Sequence, residues 1–213
     1  MGISKLNLFS LAIVILSFVI AIFSYSYLPE KIISHWGADG NPNGYMTKSL
    51  GLFLMPLLSI IMLFLFYILP KIDPLKKNYN EFKYYYELII FTILLFLFYI
   101  FLLTIIWNLG FAYNMNLMII PAIGLLFIII GNVLNKTKRN WFFGIRTPWT
   151  ISSDKVWKKT HELGSKLFIV SGILTIIGAF FGAYAFLFLF IPIIISTIWL
   201  LIYSYLEWKK LKK

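Results

Sequence analysis

Two stretches of this chain carry residues whose types and spacing could do chemistry. One is Gly144-Ile145-Arg146-Thr147-Pro148-Trp149-Thr150, followed by Trp157 and His161. The Arg146 guanidinium is a planar fork that can grip a carboxylate, a phosphate or a carbonyl. Phe142, Phe143, Ile145 and Trp149 surround it with apolar bulk, so it needs a carboxylate or carbonyl partner, and Asp154 and Glu162 are the nearest carboxylates in the chain. A structural clamp and a recognition site are equally open. Asp154 and His161 are seven residues apart, which on a helix is about 10 Å, too far for an acid–base dyad. His161 is therefore expected to be structural, pairing with Gly144–Trp149. The other stretch is Asp39-Gly-Asn41-Pro-Asn43-Gly44, the first half of a calcium-loop pattern. Its twelfth position should be Glu and is Leu50. His35 and Asp39 could share zinc, but two ligands fall short of the usual three or four. Tandem turns are the better reading. No cysteine is present, which removes disulfides and thiolate metal sites. No metal, no cofactor and no catalytic constellation are expected.

The elements that must position these residues are membrane spans. Of 213 residues, 61% are hydrophobic and 13% charged, where a soluble domain carries about a quarter. Apolar runs at Leu6–Tyr27, Leu50–Leu69, Leu88–Trp107 and Leu117–Leu134 each approach the ~20 residues a bilayer span needs. Leu167–Leu206 is forty residues without a charge. One helix of that length would measure about 60 Å, twice the hydrocarbon core, so it must be two spans. The turn is expected near Gly182–Ala185, and Pro192 is expected to kink the sixth span. The first run is too long, and its Ser24-Tyr-Ser26 too poor a cleavage site, for a signal peptide. Met1-Gly2 opens a myristoylation signal, but Leu6 stands where Ser or Thr is required.

Charge sets the expected orientation. Lys5, the four lysines of the 70–86 loop, the eight basic residues of the 135–166 loop and the four at the C-terminus make seventeen on one side, against Lys31 and Lys48 on the other. Basic residues mark the cytoplasmic side. Both termini and the 135–166 loop are thus expected in the cytoplasm, and the excess of +11 reads as topology with affinity for anionic membrane lipid, not as direct nucleic-acid binding. Within the 135–166 loop, Asp154–Lys166 predicts an amphipathic helix before span five. Ser152 or Ser153 caps it, and Trp157 turns inward on the inner membrane surface. Pro29 is expected to open a short helix through Trp36 in the outer loop. No ionisable residue lies well inside any span. Glu87 sits at the end of the third, and the spans otherwise hold groups such as Thr92, Thr104, Asn132, Ser171, Thr175, Ser196 and Thr197. Ion-coupled transport normally uses a buried carboxylate or His, so this weighs against it. Gly178-x-x-x-Gly182 permits close packing, more readily within the chain than between copies.

With Gly131-Asn132, Asn140, Gly144–Thr150 and Trp157-Lys-Lys-Thr-His161 in hand, the chain resembles the SdpI family of membrane immunity proteins. The outer loop, Leu28-Pro29 to His35, then Gly40 to Gly44-Tyr45 and Lys48, resembles the small uncharacterised domain that often precedes that family. The resemblance implies protection of a cell against a secreted membrane-active peptide toxin, and in one branch relay of the signal to a cytoplasmic repressor protein.

The expectation is therefore an all-α, six-span protein of the cell membrane, N-in and C-in. A two-span module, 1–70, carries the outer loop 28–49, and a four-span module, 71–213, carries the motif loop. The motif residues are Asn132, Asn140, Gly144, Ile145, Arg146, Thr147, Pro148, Trp149, Trp157 and His161. His35, Trp36 and Tyr45 are expected to meet a ligand at the water–lipid boundary, where amphipathic rings settle. A small-molecule transporter or channel is the alternative.

Overall fold

The computed structural model describes residues 4–212; Met1 and Gly2, with their partial acylation signal, lie outside the described residues. Helices dominate, as the apolar runs require. They are α1 (Lys5–Ser24), α2 (Lys48–Ile72), α3 (Tyr79–Asn108), α4 (Met115–Leu134), the short α5 (Pro148–Ser152), α6 (Asp154–Gly178) and α7 (Ala185–Lys210). Five helical segments are long and apolar enough to cross a bilayer, which makes the chain a multi-pass membrane protein. The last of them, Asp154–Lys210, reverses at Ala179–Tyr184, where Gly182 takes φ +56°, so α6 and α7 are separate helices within it. Pro192 lies inside α7, which continues through it.

The chain divides into two compact units. The first comprises Met1–Phe66 and Ile90–Ile119. Ser4 caps α1 by accepting the Asn7 N–H, and α1 turns Ser10, Val14, Ser17 and Ala21 inward. Ala21, Leu28, Ile32, Leu52, Phe101 and Ile105 form its core. The outer loop is not helical. Lys31–Trp36 is a strand, β1, paired antiparallel with β2, Pro42–Thr47. The helix expected from Pro29 is thus corrected to a hairpin. Ile32 and Ile33 are stiff at χ1 and favour a pleated surface, and the turn residues Gly37–Gly40 bring the second strand back. Gly40 has φ +80°, and a β-carbon there would sit 2.7 Å from Oδ1 of Asn114, so both backbone and space call for glycine.

The second unit comprises Tyr67–Ile89 and Ile120–Lys213. Its helices approach through small residues. A β-carbon at Gly124 would lie 2.6 Å from the Gly172 carbonyl, and one at Gly131 2.8 Å from that of Ser165. Without a hydrophobic drive between helices in lipid, such close backbone approach is what packs them. A β-carbon at Gly178 would overlap the Phe188 side chain, so that glycine serves packing within the chain, while Gly182 serves the turn. Ser171 and Ser196 hydroxyls meet at 3.2 Å across α6 and α7. The amphipathic segment Asp154–Lys166 is the first half of one unbroken helix, α6, capped by Ser153. It is not a separate helix before the span.

Candidate functional site

The motif residues other than Asn132 gather around a tight polar knot in the second unit. Asn140 is its centre and is 0% exposed. Its Oδ1 accepts the N–H groups of Phe142 (3.0 Å) and Phe143 (2.6 Å) and the Tyr79 hydroxyl (3.1 Å). Its Nδ2 donates to the carbonyls of Lys138 (2.8 Å) and Phe143 (3.0 Å). The side chain thereby supplies the partners that an irregular buried loop cannot find in itself. The next residue is fixed by a carboxylate that no sequence motif flags. Asp73 is 2% exposed, and its Oδ2 accepts the Trp141 N–H at 2.8 Å and the Tyr79 hydroxyl at 3.1 Å. Its Oδ1 takes the Leu75 N–H at 2.6 Å.

The chain then turns at Gly144, where φ is +106°. That turn aims the Ile145 N–H at Nε2 of His161, 2.9 Å away. The other nitrogen, Nδ1, lies 2.8 Å from the Trp157 carbonyl. A carbonyl only accepts and an N–H only donates, so Nδ1 carries the proton and Nε2 does not. The imidazole is neutral and fully used. It stacks on Trp157 with centroids 4.0 Å apart, and the Trp157 Nε1–H donates to the Thr137 carbonyl at 3.2 Å. The expected pairing of His161 with Gly144–Trp149 is present. The Ile145 side chain would overlap a β-carbon placed on Gly164, so it fills the gap that glycine leaves.

Thr147 and Thr150 cap α5 reciprocally. The Thr147 hydroxyl accepts the Thr150 N–H at 3.1 Å, and the Thr150 hydroxyl accepts the Thr147 N–H at 2.8 Å. Pro148 occupies the first turn, where a missing N–H costs nothing. The Thr147 hydroxyl also reaches Ser204 of α7 at 3.1 Å, and Trp149 packs on Tyr205 with centroids 5.1 Å apart. α7 is tied further by Glu207, buried between Lys159 and Lys210.

Arg146 differs from its neighbours. It is exposed, and its Nη1 donates to the Trp141 carbonyl at 3.0 Å. Neither expected carboxylate reaches it: Asp154 pairs with Arg139 at 2.8 Å and Glu162 with Lys158 at 4.0 Å. Their one-turn separation from basic neighbours, or a loop crossing, satisfies them first. A carbonyl, the other option, is the partner. Beside Arg146 the Trp141 ring is 46% exposed. Asn132 is not brought into the knot. It is exposed on α4 and donates back to the Ile128 carbonyl at 2.8 Å.

In the first unit the three expected ligand contacts differ in availability. Tyr45 is 63% exposed. His35 is exposed, with Nδ1 2.5 Å from Asn43 Oδ1. Trp36 is half-buried, edge-on to Trp107 at 6.1 Å, and its Nε1–H has no hydrogen-bond partner among the described residues. Asp39 is occupied by its own turn. Hydrogen bonds from the Asn41 side chain and then its backbone hold the carboxyl below its usual range. Among the described residues no group of three or more His, Asp or Glu side chains could hold a metal ion.

Comparison with known proteins follows the same two regions. The SdpI/YfhL protein family matches residues 136–204, and a domain of unknown function, DUF1648, matches 12–60. Immunity protein SdpI of Bacillus subtilis (strain 168) is 33% identical over 208 residues, 97% of this chain and 98% of that protein. The chain belongs to the SdpI family. The family match begins just before Asn140 and ends at Ser204, so it takes in Asn140, Gly144–Thr150, Trp157 and His161 and the residue of α7 to which Thr147 is bonded, while Asp73 and Tyr79 lie outside it. The DUF1648 match takes in the whole hairpin. No solved structure matches the chain.

Proposed function

We propose that this protein confers immunity on the cell that carries it, by binding a secreted membrane-active peptide toxin, and that it does so without catalysis. The near full-length likeness to a protein named for immunity carries the reading. The geometry is in keeping with it. The side chains of Asn140, Thr147, Thr150 and Trp157 are spent on holding the loop, and His161 has neither nitrogen free to move a proton. What the knot offers outward is a shape, with Trp141 and Arg146 on its surface. On the charge pattern the chain crosses the membrane six times with both termini inside. The 28–49 loop then meets the toxin first, and the 135–166 loop faces the cytoplasm, where a repressor protein is the partner for any signal relay. We assign residues 1–70 and 71–213 to the two modules. The test is expression in a toxin-sensitive strain. Protection without substrate flux is expected, and flux without protection would replace this reading by transport.

A further inference from the structure

The hairpin has one open edge, and its register says which groups line it. In an antiparallel ladder, opposed residues alternate between pairs that exchange hydrogen bonds and pairs whose N–H and C=O both point away. The register runs Lys31↔Thr47, Ile32↔Met46, Ile33↔Tyr45. One step on, the Lys48 N–H donates to the Glu30 carbonyl at 2.9 Å, so that pair exchanges. Ile32↔Met46 then exchanges too, while Ile33↔Tyr45 and Lys31↔Thr47 point outward. The β1 side bears this out independently. The Asn108 amide sits against Ile33, its Oδ1 taking the N–H at 2.7 Å and its Nδ2 donating to the carbonyl at 2.9 Å, as a neighbouring strand would. On the β2 side no such group stands among the described residues. The N–H and C=O of Tyr45 and the N–H of Thr47 face away from β1 with both residues exposed, while the Thr47 carbonyl stands at the start of α2. They present donor and acceptor at the spacing of an extended chain.

We propose that this edge of β2 receives an extended polypeptide segment as an added strand. The proposal deepens the immunity reading and rests on it only for the identity of the peptide. Main-chain hydrogen bonds would supply the affinity, and the exposed Tyr45 ring would contact alternate side chains of the guest. An unprotected edge is a hazard that proteins usually blunt with charge or proline. Here Pro42 stands at the far end of β2, and Tyr45 and Thr47 carry neither. β2 runs straight into α2 at Lys48, so a strand added there lies beside the point where a span begins.

The test uses the purified full chain in lipid nanodiscs and a fluorescent octapeptide alternating threonine and valine, with terminal lysines for solubility. A second peptide of the same sequence carries N-methyl groups on every other amide. Anisotropy should report binding of the plain peptide and loss of binding for the methylated one. Tyr45→Pro removes an outward N–H and no bond to β1, and should weaken binding about fivefold to tenfold, the worth of one hydrogen bond. Equal binding of both peptides, or no binding of either, overturns the proposal on the wild-type protein alone, whatever the fold of the proline variant. A Thr47→Cys variant, in a chain otherwise free of cysteine, should stay monomeric on oxidation. Disulfide dimers would give the edge to a second copy and overturn the proposal as well. Because no toxin is used, failure here leaves immunity standing, and failure of protection leaves the edge standing.

Discussion

Gly144 and His161 fit each other so closely that a β-carbon on the glycine would lie 2.5 Å from Nε2 of the histidine. The same turn, at φ +106°, delivers the Ile145 N–H to that nitrogen. Gly144→Ala should therefore destabilise twice over, by about 1–2 kcal/mol from left-handed backbone alone and more from the overlap. His161→Ala removes the overlap. Thermal melting of the two single variants and the double variant in nanodiscs should show strong non-additivity, the double losing much less than the sum. Additive losses would mean that the two residues do not share this space.

Asn140→Ala should be among the most damaging single changes in the motif loop. It strands the half-buried Phe142 and Phe143 N–H groups, and leaves the Tyr79 hydroxyl with Asp73 as its remaining acceptor. Each orphaned group costs about 1–3 kcal/mol. Asn140→Asp keeps the Oδ1 acceptor, loses the donors to Lys138 and Phe143, and buries a charge, so it should fail as well. Retained folding of Asn140→Asp, measured by melting temperature, would contradict the assignment of Nδ2.

Much of this architecture was legible from the chain. Twenty-residue apolar runs dictate spans because lipid leaves backbone groups no other partner. His161 pairing with the GIRTPW segment was readable because both lie in one loop and the next helix. The hairpin was hidden by Pro29, which suggested a helix start, although Ile32-Ile33 and the Gly37–Gly44 turn residues carried the strand signal. Asp73 was illegible for a different reason. Its partner Trp141 is 68 residues away, and nothing local distinguishes an Asp before a proline from an ordinary turn. The carboxylates nearest to Arg146 in sequence were claimed by other basic groups, which spacing alone does not reveal.

The exposed position of Arg146 separates stability from function. Arg146→Ala loses one surface hydrogen bond, to Trp141, and should shift stability by no more than about 1 kcal/mol. Protection should nevertheless fall, and Arg146→Lys should restore it poorly, because a point charge lacks the planar fork. A large drop in melting temperature would make Arg146 a clamp instead.

Orientation can be read by labelling, since the chain holds no native cysteine. Asn43→Cys in intact cells should react with an impermeant thiol reagent, and Lys138→Cys should react only after permeabilisation. The reverse pattern would invert the seventeen-to-two charge argument.

The most direct measurement is survival under a toxin titration. Sensitive cells would express wild type, Arg146→Ala or an empty membrane cassette, with the two proteins at equal abundance. The account predicts that wild type raises the lethal concentration well above that of the empty cassette, and that Arg146→Ala gives back most of the gain. Equal killing of wild-type and empty-cassette cells would contradict it.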